Sequence, residues 1–352
     1  MLSHGRRPIG TARPPDPVRV VAVLLAVLAG WLAPSPVAET QASAPPRQVK
    51  IGVAVQILAF APLAIAEVKG YFKDQGVEVT TISLRGGTAT TQTLIGGSIQ
   101  FAASAAPDVI RADQKGLDVI AIANILTAND VELTISRKLQ QQLKISRGTP
   151  LRERLMPLRG RLFGVTSIGS ASQINLQALF KSIGLAPDSL RFIAIGGAAE
   201  LSAALRADRI AGYLVGPPAG ELADREGFGY VLVPVGEAAA FADQAFTDIF
   251  TTRAYTRGNP ELVRSVAGAI ARANDFLLDH PAEAARLIAP SYKGVPLDLL
   301  TESLRKLPFA RGARFSPTGW QNAIRALKDA GVLEGQLPSA DPEVLWTNQY
   351  LP

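Results

Sequence analysis

The chain has 352 residues, of which 47% are hydrophobic, 19% charged and 6% aromatic, with a formal net charge of +6. That length supports one large domain or two mid-sized lobes with real cores, and an apolar mass made mainly of Ala, Leu, Val and Ile suits helices packed on buried strands. With no cysteine, disulfides, thiolate metal sites, iron–sulfur clusters, a cysteine nucleophile and a lipidated cysteine anchor are excluded; two histidines, His4 and His280, are too few and too far apart for a histidine metal site.

Residues 1–44 stand apart from the rest. A basic stretch carrying Arg6, Arg7, Arg13 and Arg19 precedes the apolar run Val20–Ala33, and a tail rich in small residues follows through Ala38, Ala42 and Ala44. This is the layout of a secretory signal peptide with a long basic region, since 14 apolar residues fall short of the ~20 a membrane-spanning helix needs. The expectation is export to the periplasm without a lipid anchor, with cleavage after Ala38, Ala42 or Ala44. Setting residues 1–44 aside removes four arginines and two acidic residues from totals of 36 and 30, leaving a net +4. The basic residues are scattered and not interleaved with aromatics, which argues against nucleic acid as a partner, while mild positive charge is compatible with an anionic solute.

From Val49 onward short apolar runs alternate with longer helical stretches. Strands are predicted at 49–55, 77–84, 99–103, 119–124 and 131–136, with helices over 62–75 and 88–95. Residues 137–158 are polar and basic and read as surface helices. The alternation then restarts with strands at 161–165, 190–195, 211–215 and 230–235 and helices at 170–183, 198–206 and 218–226. Two successive α/β units of similar construction result, and the rule for such units predicts mostly parallel sheets. The remaining third is helical, with apolar stripes at Leu262, Val263, Val266, Ala267, Ile270, Phe276 and Leu277 and at Trp320, Ala323, Ile324, Leu327 and Ala330; both read as core.

The informative residues sit where strands hand over to helices: Arg85-Gly-Gly-Thr-Ala-Thr-Thr91, Ser104-Ala-Ala-Pro-Asp108, Val165-Thr-Ser-Ile-Gly-Ser-Ala-Ser172, Ile195-Gly-Gly-Ala-Ala-Glu200 and Val215-Gly-Pro-Pro-Ala219. Small residues let a ligand approach the backbone, and free N–H groups at a helix start with a nearby hydroxyl form a donor cluster suited to an anion. Ordinary N-caps share this composition; recurrence in both units is what favours a site. Enzyme signatures are missing: no G-x-x-x-x-G-K-[ST], G-x-G-x-x-G or G-x-S-x-G occurs, and Ser167 and Ser170 have no histidine nearby in sequence.

Pro62-Leu-Ala-Ile-Ala-Glu-Val-Lys-Gly-Tyr-Phe-Lys-Asp-Gln-Gly-Val-Glu-Val79, Gly86-Gly-Thr-Ala89, Leu94-Ile-Gly-Gly-Ser-Ile-Gln-Phe101, Leu158-Arg-Gly-Arg-Leu-Phe-Gly-Val165, Gly169-Ser170 and Ala204-Leu-Arg-Ala-Asp-Arg-Ile-Ala-Gly-Tyr-Leu-Val215 together resemble the nitrate, sulfonate, taurine and thiamine-pyrimidine group of ABC-transporter substrate-binding proteins. The resemblance covers roughly residues 49–235 and, more loosely, the C-terminal helices. It implies a type II periplasmic-binding-protein fold: α/β, two lobes with a cleft between them and two crossover segments near 125–135 and 230–250. Residues 1–44 would be signal peptide and linker, 45–130 plus 236–352 the first lobe with the C-terminal helices, and 131–235 the second. A small anionic solute would bind between the lobes, and closure would present it to a permease in the inner membrane, the binding protein working as a monomer with neither cofactor nor metal. Carried over by position, the ligand-facing residues are Gln56, Phe60, Gly87, Thr88, Ala89, Ser104, Ala105, Ser167, Gly169, Ser170 and Gly216, with Asn124 and Asn129 near the hinge.

The sequence departs from the family pattern at Gln100 and Ala211, where Asp is usual and is expected to support the fold near the cleft. A related yeast pyrimidine synthase depends on a histidine and a cysteine cluster, so a cysteine-free chain is not expected to share that activity. Two other readings stay open: an enzyme on the same scaffold, of the menaquinone-pathway lyase type, and a sensory ligand-binding module.

Overall fold

A computed structural model describes residue 10 and residues 46–237, 241, 243–333 and 338–352. Apart from Gly10, the expected signal segment lies outside the described residues, and the elements below all belong to the compact unit Pro45–Pro352. The strands are β1 (Arg47–Val53), β2 (Val77–Ser83), β3 (Phe101–Ala105), β4 (Ile120–Leu126), β5 (Glu132–Ser136), β6 (Leu162–Val165), β7 (Arg191–Ala194), β8 (Gly212–Val215), β9 (Gly229–Pro234) and β10 (Thr247–Thr251). The helices are α1 (Ala61–Val68), α2 (Gly87–Ile95), α3 (Ala106–Gln114), α4 (Arg137–Leu143), α5 (Leu151–Leu155), α6 (Ala171–Lys181), α7 (Ala198–Arg206), α8 (Ala219–Arg225), α9 (Arg253–Gly258), α10 (Pro260–Asp279), α11 (Pro281–Ile288), α12 (Leu297–Lys306) and α13 (Pro317–Asp329). Among the described residues no helix is long and apolar enough to cross a membrane.

Two five-stranded sheets form, in the orders β2-β1-β3-β10-β4 and β7-β6-β8-β5-β9. In each, three strands run parallel and are joined through helices: β1 lies parallel to β2 and β3, and β6 to β7 and β8. The next strand is antiparallel to both its neighbours, β10 in the first sheet and β5 in the second. The sheets are therefore mixed by one reversed strand each, the other four sharing a direction as the alternation rule predicted. The reason is that each antiparallel strand enters its sheet from the other lobe, through 127–131 between β4 and β5 and through 235–246 between β9 and β10. Strand β10 went unread because Asp248 interrupts its apolar character, yet all five of its residues are buried.

Apolar faces close the layers. Leu262, Val263, Val266, Ala267, Ile270 and Leu277 of α10 pack into one core with Ile51, Ile65, Phe101 and Ile249, and Trp320, Ala323, Ile324 and Leu327 of α13 pack into a second with Val109, Ile110 and Phe250. A third core, built on Leu133, Phe163, Leu179 and Phe180, serves the second sheet. The helix predicted over 62–75 stops at Val68, because Gly70 turns into the left-handed region (φ +74) and only a short 3-10 turn at Lys73–Gln75 follows. Gln100 and Ala211 do not stand near the cleft: they precede β3 and β8, at the ends opposite the ligand-facing turns. Gln100 Oε1 accepts the Lys50 N–H (2.9 Å), so an amide closes that sheet end.

Polar groups fasten the crossovers. Asn274 of α10 is fully buried, and its Nδ2 donates to the carbonyls of Asn124 (3.0 Å), Ile125 (3.3 Å) and Ala310 (2.8 Å). Asn129, in the first crossover, donates to Asn175 Oδ1 of α6 (2.7 Å). Beside it lie carboxyls that lack partners: both oxygens of Asp130 and the Oε2 of Glu132, a side chain in a residue only 8% exposed. Burial, with the Glu221 and Asp130 charges adding and those of Arg147 and Lys306 opposing, pushes the Glu132 carboxyl up to about 8, and burial pushes Asp130 up to about 7.

Asn274→Ala strips one donor from three buried carbonyls and is expected to lower the unfolding free energy by about 2–3 kcal/mol in urea titrations; a loss below about 0.5 kcal/mol would contradict this role. Asp130 and Glu132 hold a proton in the folded chain where the unfolded chain has released it, so their contribution to stability falls as pH rises from about 4 to about 8. Glu132→Gln is expected to flatten the decline of melting temperature across that window and to raise the melting temperature at its upper end. An unchanged profile would assign the decline to other groups.

Candidate functional site

The carboxyl ends of the parallel strands in both sheets lead into turns that meet. Strand β1 runs into Ala54–Val55, β3 ends on Ser104–Ala105 just before α3, β6 runs through Thr166 and Ser170 into the Ala171–Ser172 start of α6, and β8 runs into Gly216. Together with Ile57, Phe60, Gly86, Gly87, Asp108, Val131, Phe246 and Thr247 they enclose a cavity of about 50 Å³, room for little more than a water or the head of a ligand. Glycine is required at the seam: a methyl group added at Gly86, which sits at φ +99, would lie 2.6 Å from Ser167 Oγ across the interface. One added at Gly87 would overlap the Asp108 carboxyl.

Of the residues named from sequence, Phe60, Gly87, Ser104, Ala105, Ser170 and Gly216 line this cavity. Ser167 and Gly169 are not among its lining residues: Ser167 faces Gly86 with its Oγ buried and unpartnered, and the Gly169 carbonyl accepts a hydrogen bond from the Arg111 guanidinium of the opposite lobe. Thr88 faces away, into a groove of about 290 Å³ between α2 and α3 that also holds Arg111 and Lys115, and its Oγ1 is buried without a partner. Ala89 borders neither space. Gln56 is exposed and its Nε2 donates to the Ser291 carbonyl (2.6 Å). Asn124 is buried in β4, in register with Asp248 of β10, which is in turn in register with Ser104. Asp248 is completely buried with neither oxygen partnered, and burial raises its carboxyl well above the usual range.

Outside the cavity a groove of about 600 Å³ runs between the lobes, with Val55 common to both spaces. Its walls carry Arg85 and Lys293 from one side and Gly197, Glu200 and Ser202 at the start of α7 from the other. The lobes are drawn together on several edges. Leu58 N–H donates to the Pro217 carbonyl (2.8 Å), Arg225 of α8 pairs with Asp298 of α12 (2.9 Å), and Glu221 takes a hydrogen bond from Ser303 and lies 3.6 Å from Lys306. The arrangement is that of a closed cleft.

The cavity hydroxyls are largely engaged with one another. Ser172 Oγ accepts the Thr166 N–H (3.0 Å) and lies 2.9 Å from Ser170 Oγ and 3.2 Å from Thr166 Oγ1. Ser104 donates to Asp108 Oδ2 (2.5 Å), leaving Asp108 Oδ1 buried and unpartnered. Burial pushes the Asp108 carboxyl up, against the Ser104 hydrogen bond and the Arg111 charge, which pull it down. Asp108, Thr166, Ser172, Phe246 and Thr247 were not nominated from sequence; the first three lie inside the quoted turns or next to them, but nothing in a residue string tells a buried acid from a solvated one. Among the described residues no group of three or more His, Asp or Glu side chains is placed to hold a metal ion. His280 stands at the exposed start of α11, its ring 5.1 Å from that of Phe276.

Comparison with known proteins sets this geometry in context. The 4-amino-5-hydroxymethyl-2-methylpyrimidine phosphate synthase of Aspergillus parasiticus is 24% identical over 302 residues, 83% of either chain. A protein of Bordetella bronchiseptica RB50 superposes with a TM-score of 0.74 at 23% identity, over 87% of this chain and 96% of the other. The alkanesulfonate-binding protein SsuA of Xanthomonas axonopodis pv. citri, bound to MOPS, superposes with a TM-score of 0.66 at 17% identity, over 84% and 97%. These likenesses show the periplasmic-binding-protein fold. Residues 58–284 match the family model described as NMT1/THI5 like, and with more than half of the chain so covered, it belongs to that family.

Proposed function

We propose that this chain is the solute-capturing receptor of an ABC importer, exported to the periplasm as a monomer, which closes two lobes over a small molecule and presents the closed form to a permease in the inner membrane. The observation that carries the reading is the cavity walled by strand-end turns of both sheets, sealed by Gly86 against Ser167 and by Arg111 on Gly169. A ligand that fills such a seam touches both lobes at once, so it stabilises the closed form by its differential affinity for it. The two crossovers supply the hinge. The fold shared with importer receptors supports the same reading.

A synthase role would follow the names of the curated relatives, which are 24% identical. Against it stand the lack of any cysteine and the placement of His280 on the surface of α11, outside the cavity lining. The residues at the cavity suit recognition: small side chains, hydroxyls and one buried carboxyl, and the Ser104 hydroxyl that meets that carboxyl has no histidine or cysteine beside it in the lining.

A melting-temperature screen of the chain freed of residues 1–44 tests the proposal. A solute present at a hundred times its dissociation constant adds about 2.7 kcal/mol to folded-state stability. Ser170, 1% exposed, lies at the seam, so Ser170→Trp is expected to prop the lobes apart and abolish the solute-induced shift while leaving a cooperative melt. A shift that survives the substitution at full size would contradict the cleft assignment.

A further inference from the structure

Building on the receptor reading, on which the chemistry of the solute depends, we infer that the captured molecule presents a nitrogen head with several N–H donors, of amidine, guanidine or protonated-amine type, and that Asp108 is the residue that selects it. The sequence pointed to an anion held by helix N-termini; the cavity is built for the opposite sign.

Three observations carry this. Asp108 is 4% exposed, lines the cavity, and takes a hydrogen bond on Oδ2 from Ser104, with the backbone of Ala105 also beside its carboxyl, while Oδ1 is buried without a partner. A buried carboxyl oxygen without a donor is costly, and a ligand N–H is what would relieve it. Second, the place at the start of α2 where an external anion would settle is already taken: the Asp108 carboxyl lies so close to Gly87 that no methyl group fits between them. A second anion there would be driven against the first. Third, among the described residues that line the cavity none is Lys, Arg or His. Arg111 lies outside the lining, where it gives a hydrogen bond to the Gly169 carbonyl and its charge offsets part of that of Asp108, and Arg85 and Lys293 line the outer groove.

Thr166, Ser170 and Ser172 are tied into one cluster and Ser104 is committed to Asp108, which leaves Asp108 Oδ1 as the unmet acceptor of the cavity, while the Ser167 hydroxyl beside Gly86 is also buried without a partner. A cationic N–H group paired with a carboxylate out of water forms a short, charge-assisted bond, roughly twice as strong as a neutral one. Such a head fits the small cavity, and the body of the solute would continue past Val55 into the groove.

The test uses pairs of nearly equal shape and opposite charge: guanidinium against nitrate, acetamidine against acetate, and benzamidine against benzoate. Melting shifts and calorimetric titrations on the otherwise unaltered chain decide between the signs without any substitution. The cations are expected to bind and their anionic counterparts not. Asp108→Asn is expected to weaken cation binding about thirtyfold or more, with an unchanged circular dichroism spectrum and a free melting temperature no lower than that of the parent. Binding of the anions, undiminished or strengthened by Asp108→Asn, would overturn the inference and leave the receptor reading intact. Binding of neither sign, to the parent or to the variant, would overturn both.

Discussion

The carboxyl ends of two sets of parallel strands point at each other across one narrow seam, and most of the structure serves to hold them there. Parallel strands must be joined by helices, and each helix begins just past a strand's carboxyl end, so small residues and hydroxyl-bearing caps collect on one edge of each sheet. The exchange of β5 and β10 between lobes fixes those edges face to face, since each crossover ends one sheet and enters the other. Asn274 and the Asn129–Asn175 pair hold the crossover backbone in place with buried hydrogen bonds. Steric demand at the seam is severe enough that glycine alone serves at positions 86 and 87.

Stability is given up in the same region. Asp108, Asp130, Glu132 and Asp248 all carry buried oxygens without partners. Each burial disfavours the charged form. Unsatisfied groups of this kind concentrate where a structure must respond to something outside itself. Asp108 faces the cavity, and Asp130 and Glu132 flank the crossover, while the ion pairs that join α8 to α12 sit at the surface, where each contributes little and yields readily when the lobes part.

Much of this was legible in the residue string, because periodicity and glycine placement are local. Strands β1, β2, β6 and β8, the α10 and α13 stripes and the turn at Gly86–Gly87 follow directly from it. What was not legible depends on position in three dimensions. Asp248 made β10 look like loop, since only the folded sheet shows that its carboxyl is enclosed. Asn124 lies in β4 shortly before the first crossover, and that it is buried there beside Asp248 could not be read from a run that is apolar on both faces. Thr88 lies on the α3 side of its helix, which its place in the motif did not reveal. Gln100 and Ala211 precede their strands and therefore sit at the far edge from the cleft. Asp108 closes the Ser104–Asp108 motif, yet its sequence neighbours gave no sign that its carboxyl would be buried in the cavity with one oxygen unpartnered.

The chain's lack of cysteine makes lobe closure directly measurable, since labels can be placed at two chosen sites in an otherwise unreactive background. Ile95 of α2 and Ile193 of β7 are exposed, one on each lobe, and suit Ile95→Cys and Ile193→Cys for spin labelling. Pulsed electron–electron distance measurements on that doubly labelled chain should give a broad or two-component distribution without solute. On saturation with a compound that raises the melting temperature, the expected result is a single narrow, shorter distance. A distribution that does not respond to a bound compound would mean that the two lobes do not close upon it, which would contradict capture by closure.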